Sequence, residues 1–479
     1  MNETERGING TGSRWQPPHT YALLFAMIVV TALLTWVLPS GSFERQNTVT
    51  SSGGTASTVI PGTFSTVEKV TADRDLRQGV LDVLSAPMAG LVHAADVVAF
   101  VLVLGGAFGI ISGTGAIDRG LLALSRGLSG RGIYVIPVML PLMSLGGSTF
   151  GMSEEIIALY PVVIALMFKL GFDSMTAVLI LFLGTQAGYI GATINPFSVL
   201  LAQGIASIEG NPQLGLRIFV WLAFTVLAVA YTMWYAARVR RDPTLSPVFQ
   251  SDQALRRKFA GNPEQTLKFS ARDRAILVTF VLALLLIAWG LITRGWYMAE
   301  ISAIFLASGL AAAVLGKMTA NDAAGYFVDG CRDFIYAAFV IGLARGILVV
   351  AEQGMIIDPI LDTLGQGLQD LPTFAFTTLT LVVHNLITFL VPSSSGEAAL
   401  TMPIFAPLAD IFGVSRDSMV LSYQMGNGLT NLISPTNGIL LAGLSIAGIN
   451  FAQWLRVALP FFAVGWFLAA VFLAISASL

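Results

Sequence analysis

Ser144-Leu-Gly-Gly-Ser-Thr-Phe-Gly-Met-Ser-Glu-Glu155 is a polar, glycine-rich tip held between two apolar arms. Downstream, a long apolar run is interrupted by Gly191-Ala-Thr-Ile-Asn-Pro196. The second half of the chain answers with Val391-Pro-Ser-Ser-Ser-Gly-Glu397 and then Leu432-Ile-Ser-Pro-Thr-Asn437. Inside a bilayer, irregular backbone is tolerated only where it is buried in protein or lines a wet cavity. Two such pairs at corresponding places in two halves point to the binding site of a secondary transporter.

The surroundings fit that reading. The 479 residues are 55% hydrophobic and 11% charged, with a mean hydropathy of +0.76. This is the profile of a polytopic membrane protein rather than a soluble enzyme. A net charge of −2 suggests no nucleic-acid partner. Cys331 stands alone, which excludes an intrachain disulfide and a Cys-rich metal site. His19, His93 and His384 are far apart and give no metal-ligand spacing. No nucleophile–base pair is evident, so the chain does not read as an enzyme. The first apolar run, Tyr21–Leu38, follows a weakly basic arm with Arg6 and Arg14 and reads as a retained helix.

Apolar runs of spanning length lie near 20–38, 97–113, 214–236, 275–293, 297–316, 334–352 and 452–475. Two longer runs, 174–207 and 415–448, contain the polar interruptions and read as broken helices. The Ser/Thr/Gly-rich stretch 40–85 reads as a solvent loop. Arginines and lysines collect between 237 and 275, which places that linker in the cytoplasm, with Arg119, Arg126, Arg131 and Lys317 on the same side. The segment 355–371, with Asp358, Asp362 and Asp370 but no Lys or Arg, falls outside.

A weak internal repeat supports the arrangement. Gly105-Gly-Ala-Phe-Gly-Ile110 matches Gly342-Leu-Ala-Arg-Gly-Ile347, and Asp173-Ser-Met175 recurs as Asp417-Ser-Met419. The reading is an all-α polytopic membrane protein with two inverted-topology repeats, each with a re-entrant helical hairpin and a broken helix. A cytoplasmic arm (1–19) precedes the first repeat, 20–236, with its hairpin near 132–170 and broken helix near 174–207. A cytoplasmic linker (237–274) and a parity-changing helix (275–293) lead to the second repeat, 297–479, with its hairpin near 373–412 and broken helix near 415–448. In the first hairpin, roughly 12 helical residues from Gly132 to Met143 reach about 18 Å. That passes the midplane of a core about 30 Å thick. The turn is expected at Gly146-Gly147-Ser148-Thr149. The N-terminus is expected in the cytoplasm and the C-terminus outside, in a bacterial inner membrane.

The chemistry-bearing residues gather at the tips and breaks. Ser148, Thr149, Ser153, Ser393, Ser394 and Ser395 offer hydroxyls and free backbone groups at half-helix ends, where dipoles attract a carboxylate or a cation. Proline at each break frees a carbonyl. Gly147, Ser148, Thr193, Asn195, Ser394, Ser434, Thr436 and Asn437 could supply neutral oxygens to Na⁺. Glu154, Glu155 and Glu397 lie beside the tips, and Arg345 lies within an apolar span. Ionisable groups at membrane depth are functional candidates by default. Asn427, with Gln186 and Gln424, sits one or two turns before a break. His384 precedes the second tip and reads first as a structural hydrogen-bonder, second as a proton relay.

Gly-Gly-Ser-Thr-Phe-Gly-Met-Ser-Glu-Glu, Asn-Pro-Phe-Ser, Pro-Ser-Ser-Ser-Gly-Glu and Ile-Ser-Pro-Thr-Asn resemble the YfcC-type branch of the C4-dicarboxylate carrier family. That family sits in the ion transporter superfamily, beside arginine/ornithine antiporters. The resemblance covers nearly the whole chain except 40–85. It implies a homodimer whose hairpin-bearing domain slides past a scaffold as an elevator. It also places Ser148, Thr149, Asn195, Ser394, Ser395, Thr436 and Asn437 where related carriers bind Na⁺ and substrate.

The expected activity is cation-coupled secondary transport of a small carboxylate-bearing solute, driven by Na⁺ or H⁺ and needing no other cofactor. The acids Glu154, Glu155 and Glu397 facing Arg345 suit an amino acid better than a dianion. A C4-dicarboxylate carrier and an arginine/ornithine-type antiporter are the alternatives. A channel would need a continuous polar pore, whereas the polar residues here gather at mid-depth behind apolar arms. A Ser394→Ala substitution is expected to abolish solute uptake while leaving expression intact, which uptake into cells with a matched immunoblot would check.

Overall fold

The computed structural model describes residues 20–49, 55–117, 119–120, 123, 131–149, 151–259, 269–294, 296, 298–367 and 373–479. The N-terminal arm 1–19, Arg126, Lys268 and Asp370 lie outside them. Within them the chain is nearly all helix. That follows from the apolar runs, because a helix satisfies its own backbone where no water can. Six of the described helices are long and apolar enough to cross a membrane. Phe219, Val226, Trp234, Val314 and Phe467 are exposed on them, as lipid-facing side chains would be.

Helix α1, Thr20–Val37, leads into four short strands. β1 (Ser40–Ser42) pairs antiparallel with β4 (Ser65–Val67), and β2 (Arg45–Val49) with β3 (Thr55–Val59). The stretch 40–85, expected as a solvent loop, is therefore a folded flap, and its end already belongs to helix α2, Val80–His93. Phe43 and Val59 bury themselves in an apolar cluster with Leu348, Leu361 and Phe405. The Arg45 guanidinium pairs with Asp358 at 2.9 Å. Helix α2 escapes the hydropathy reading because Asp82, Ser85, Pro87 and Gly90 dilute its apolar residues.

Ala94 separates α2 from α3, Ala95–Gly113. These pieces have 14 and 19 residues. Helix α12 (Ala320–Gln353), which carries the matching Gly342–Ile347 segment, runs unbroken for 34. At 1.5 Å per residue α12 is about 51 Å long, well beyond a hydrocarbon core of about 30 Å. It lies along both α2 and α3. A Cβ on Gly330 would run into the Gly105 carbonyl, and one on Gly109 into that of Tyr326. Small residues here let the two backbones touch. Helix α1 packs on α12, while α11 (Met298–Gly316) packs on α3.

The first hairpin comprises a 3₁₀ turn (Gly132–Val135), α4 (Ile136–Thr149), a second 3₁₀ stretch (Glu154–Leu159) and α5 (Tyr160–Lys169). Its turn comes later than expected. Gly146 to Thr149 complete the last turn of α4, and Gly151, at φ +74°, reverses the chain. The glycines at 146 and 147 serve close packing instead, against Met152 and the Thr185 carbonyl. The broken helix follows as α6 (Ser174–Ile190), π-wound at Leu179–Leu183, and α7 (Val199–Ile205).

Helix α8 (Leu214–Arg241), linker helix α9 (Phe249–Phe259) and α10 (Ala271–Arg294) precede α11. After α12 come α13 (Ile357–Gly367), the second hairpin α14 (Thr373–Leu390) and α15 (Ser394–Ile411), and the second broken helix α16 (Arg416–Asn431) and α17 (Gly438–Ile446). Helix α18, Phe451–Ser478, closes the chain.

The repeated Asp-Ser-Met segments anchor both broken helices. Asp173 caps α6 through Thr176 N and accepts from the Tyr235 and Ser246 hydroxyls. From the linker, Asp252 accepts the Ser174 amide and hydroxyl, and burial pushes its carboxyl up to about 6. In the first turn of α16, Asp417 accepts from Arg217 at 2.8 Å and from Gln203 at 2.9 Å. The Arg217 and Asp417 side chains are fully buried. Removing one partner of such a pair leaves an uncompensated buried charge and costs about 3–5 kcal/mol. Asp417→Asn is accordingly expected to destabilise the fold strongly, seen as a lowered unfolding midpoint of the purified protein in detergent.

Candidate solute-binding site

The two tips and the two breaks converge on a cavity of about 360 Å³. The first hairpin contributes Ser153, Glu154 and Glu155, and the first break Asn195 and Phe197. The second tip contributes Ser393, Ser394 and Ser395, and the second break Thr436 and Asn437. Arg345 enters from α12, and His93 and Asp96 flank the α2–α3 junction. A neighbouring cavity of about 610 Å³ shares Phe197, Arg345, Ser393 and Ser395 and extends beneath the flap to Glu352, Arg45 and Asp358. Both volumes suit small-molecule sites, which run to about 300–1,000 Å³.

Local hydrogen bonds build these walls. The Ser148 carbonyl accepts from Thr193 N at 3.0 Å, and its hydroxyl meets that of Thr193 at 3.1 Å. Asn195 donates to the Gly147 carbonyl and accepts from Phe197 N. The first tip is thus tied directly to the first break. At the second tip, Ser393 caps α15 through Gly396 N, and the Ser394 carbonyl accepts from the Tyr423 hydroxyl at 2.7 Å. At the second break, Ser434 and Thr436 share a 2.6 Å hydrogen bond, and Asn437 caps α17 through Leu440 N.

Arg345 is half-buried and makes no ion pair among the described residues. Its guanidinium lines both cavities. A cation left without a carboxylate in such a wall is poised for an anionic group of a ligand.

The model of the C4-dicarboxylate anaerobic carrier family (DcuC) matches residues 18–478. The chain belongs to that family. It is a transporter, not an enzyme. The carrier is 35% identical to the Escherichia coli protein described as "Putative basic amino acid antiporter YfcC", over 93% of each chain. It is 31% identical to a Haemophilus influenzae protein over 96% of this chain and 97% of that one. Among solved structures it matches the YdaH transporter of Alcanivorax borkumensis, with TM-score 0.40, 15% identity and 96% and 98% coverage of this and that chain. It also matches MtrF of Neisseria gonorrhoeae, with TM-score 0.41, 15% identity and 97% and 96% coverage. Neither score reaches the level at which a shared fold follows.

Not all of the sequence-derived candidates of this carrier reach the cavity. Thr149 turns its hydroxyl back to the Leu145 carbonyl. Gly147, Ser148, Thr193 and Ser434 form the buried tip and break contacts behind the wall. Glu397 and Asn427 are fully buried beneath the second tip. Glu397 accepts from Thr388 and Asn427 and meets His384 Nδ1 at 3.0 Å. His93, Asp96, Phe197 and Tyr189 line the cavity without having been singled out. His93 and Asp96 gave no signal because the helix break at Ala94 carries neither proline nor a polar cluster. Asn195-Pro-Phe197 did carry one, since a residue just past a break shares its cavity.

Gly147 is where the first hairpin meets α6 most closely. A Cβ there would strike the Thr185 carbonyl, whereas one at Gly204 meets nothing. Overpacking of this kind costs about 1–3 kcal/mol. Gly147→Ala is expected to lower the unfolding midpoint and abolish transport, with Gly204→Ala as the silent control in the same detergent and uptake assays.

Proposed function

We propose that the carrier performs cation-coupled secondary transport of amino acids with a cationic side chain, by moving its hairpin and broken-helix elements past the α2–α3–α12 scaffold. The observation that carries the reading is the unpaired Arg345 guanidinium in a cavity that also contains Glu154, Glu155 and Asp96. Arg345 would take the solute carboxylate, and the acids its cationic end. A dianion such as succinate would face those acids unfavourably. The description of the Escherichia coli relative as a basic amino acid antiporter agrees with this preference, while the family's own description favours C4-dicarboxylates.

The matching order of elements in the two halves supports an inverted repeat. So does the reciprocal packing of α1 on α12 and α11 on α3. Together with the positive linker, this supports a cytoplasmic N-terminus and an external C-terminus. A homodimer and the elevator motion rest on the family resemblance.

A thermal-shift series on the purified carrier tests the solute. A ligand that binds the native state raises the midpoint with concentration. Arginine or ornithine should raise it and succinate should not; the opposite order would establish the dicarboxylate reading. Hydrogen bonds to charged groups contribute about 1.5–3 kcal/mol. Arg345→Gln is therefore expected to weaken amino acid binding by roughly tenfold or more, with little change in the midpoint of the ligand-free protein.

A further inference from the structure

We propose that the buried His384–Glu397 pair is the carrier's proton-binding site, so that the coupling cation is H⁺. The inference rests on the transport reading above and deepens it. Both side chains are fully buried, and they come from the two arms of the second hairpin, α14 and α15. Glu397 meets His384 Nδ1 at 3.0 Å on Oε1; on Oε2 it accepts from Asn427 at 2.8 Å and lies 2.7 Å from the Thr388 hydroxyl, whose one proton is shared with the His384 carbonyl. With Glu397 as a carboxylate, Nδ1 carries the imidazole proton and donates it to Oε1. Nε2 is left as a bare acceptor, buried and without a partner. Buried polar atoms in native proteins are nearly always paired, and an exception asks for an explanation.

A proton supplies one. It bonds to the Nε2 lone pair, turning the neutral imidazole into imidazolium. The N–H bond forms as a hydronium O–H bond breaks and leaves water, and the pair passes from a net charge of −1 to zero. Neutralising the pair lowers the cost of carrying it through hydrocarbon. Histidine titrates near pH 6.5 in the absence of perturbation, within the range a cell can use.

The titratable groups facing the pair from neighbouring elements are Tyr423 on α16 and Tyr189 on α6, beside Glu397 itself. Phe405 of α15 covers the imidazole, while α12 and α13 contribute Leu348 and Leu361 to the apolar cluster around α14. From α18, Trp466 reaches Asn385, next in sequence to His384. The charged groups of α12 nearest the second tip, Arg345 and Glu352, line the cavities instead.

The pair is also linked to the cavity. Asn427, which holds Glu397, accepts from Asn431 at 2.9 Å, and Asn431 accepts from Asn437 at 2.9 Å. Asn437 caps α17 and lines the cavity. A change of charge at Glu397 therefore bears on the solute wall through three amide hydrogen bonds.

Two measurements on the full-length protein decide the matter. In liposomes, the wild type should accumulate radiolabelled arginine when a pH gradient is imposed and no Na⁺ is present. His384→Gln should lose that accumulation, falling to the level without a gradient, yet keep arginine–arginine exchange at equal pH. Accumulation by His384→Gln equal to wild type overturns the proton site and leaves the solute reading standing. Absence of exchange in the wild type, with arginine, ornithine and succinate each tried, overturns the solute reading. The second measurement is independent of solute. The sequence holds three histidines, so His19→Gln/His93→Gln leaves His384 as the one remaining imidazole for ¹⁵N NMR. Its Nε2 should lack a proton at high pH and gain one between about pH 8 and pH 5. A resonance unchanged across that range overturns the proposal even where His384→Gln fails to fold.

Discussion

Every other feature of this carrier depends on how interrupted backbone is satisfied inside an apolar slab. The first tip shows the solution at its most direct. Its carbonyls at Gly147 and Ser148 take donors from Asn195 and Thr193 of the first break. Each group that would be orphaned by ending a helix in hydrocarbon is handed to the other broken element. The polar cavity is a by-product of that exchange. Once tip and break have satisfied one another, the remaining serines, asparagines and acids are free to face a solute.

The second half solves the same problem with side chains instead. Its tip is held by the Tyr423 hydroxyl and by the buried Glu397 cluster, and its break by a line of asparagines. Two arrangements that match in element order therefore differ in chemistry. The first joins backbone carbonyls to amides, hydroxyls and one side-chain amide, Asn195. The second adds a buried carboxylate and imidazole, Glu397 and His384, behind its tip.

Much of this was legible in the sequence because the penalty for polar groups in lipid leaves so few reasons for them. Asn195-Pro196 and Ser434-Pro-Thr-Asn437 could only be breaks, and the helices part there. The runs of spanning length became helices whose ends shifted by a few residues, except that the helix expected from 334 begins at Ala320. What hydropathy could not read was of two kinds. The flap at 40–67 and helix α2 are built from residues of mixed polarity, and they are held by distant partners such as Asp358. The division of the polar residues between cavity wall and buried support also escaped. Serine or glutamate at a tip has the same hydropathy whether it faces a solute or, like Glu397, a histidine two turns away. Only the rotation of each helix about its axis decides that, and rotation is set by close contacts such as Gly147 against Thr185.

The junction at Ala94 breaks the likeness between the halves in one further respect. By the repeat alignment His93 stands opposite Gly330 and Asp96 opposite Asp333, yet only His93 and Asp96 line the cavity, so the polar lining is lopsided. In the transport cycle proposed above, a device with unequal faces would rest at unequal free energies in its two orientations. Its grip on cargo offered from one side must then differ from its grip on cargo offered from the other. Such a bias leaves the final gradient to thermodynamics, but it sets the direction in which the carrier runs faster.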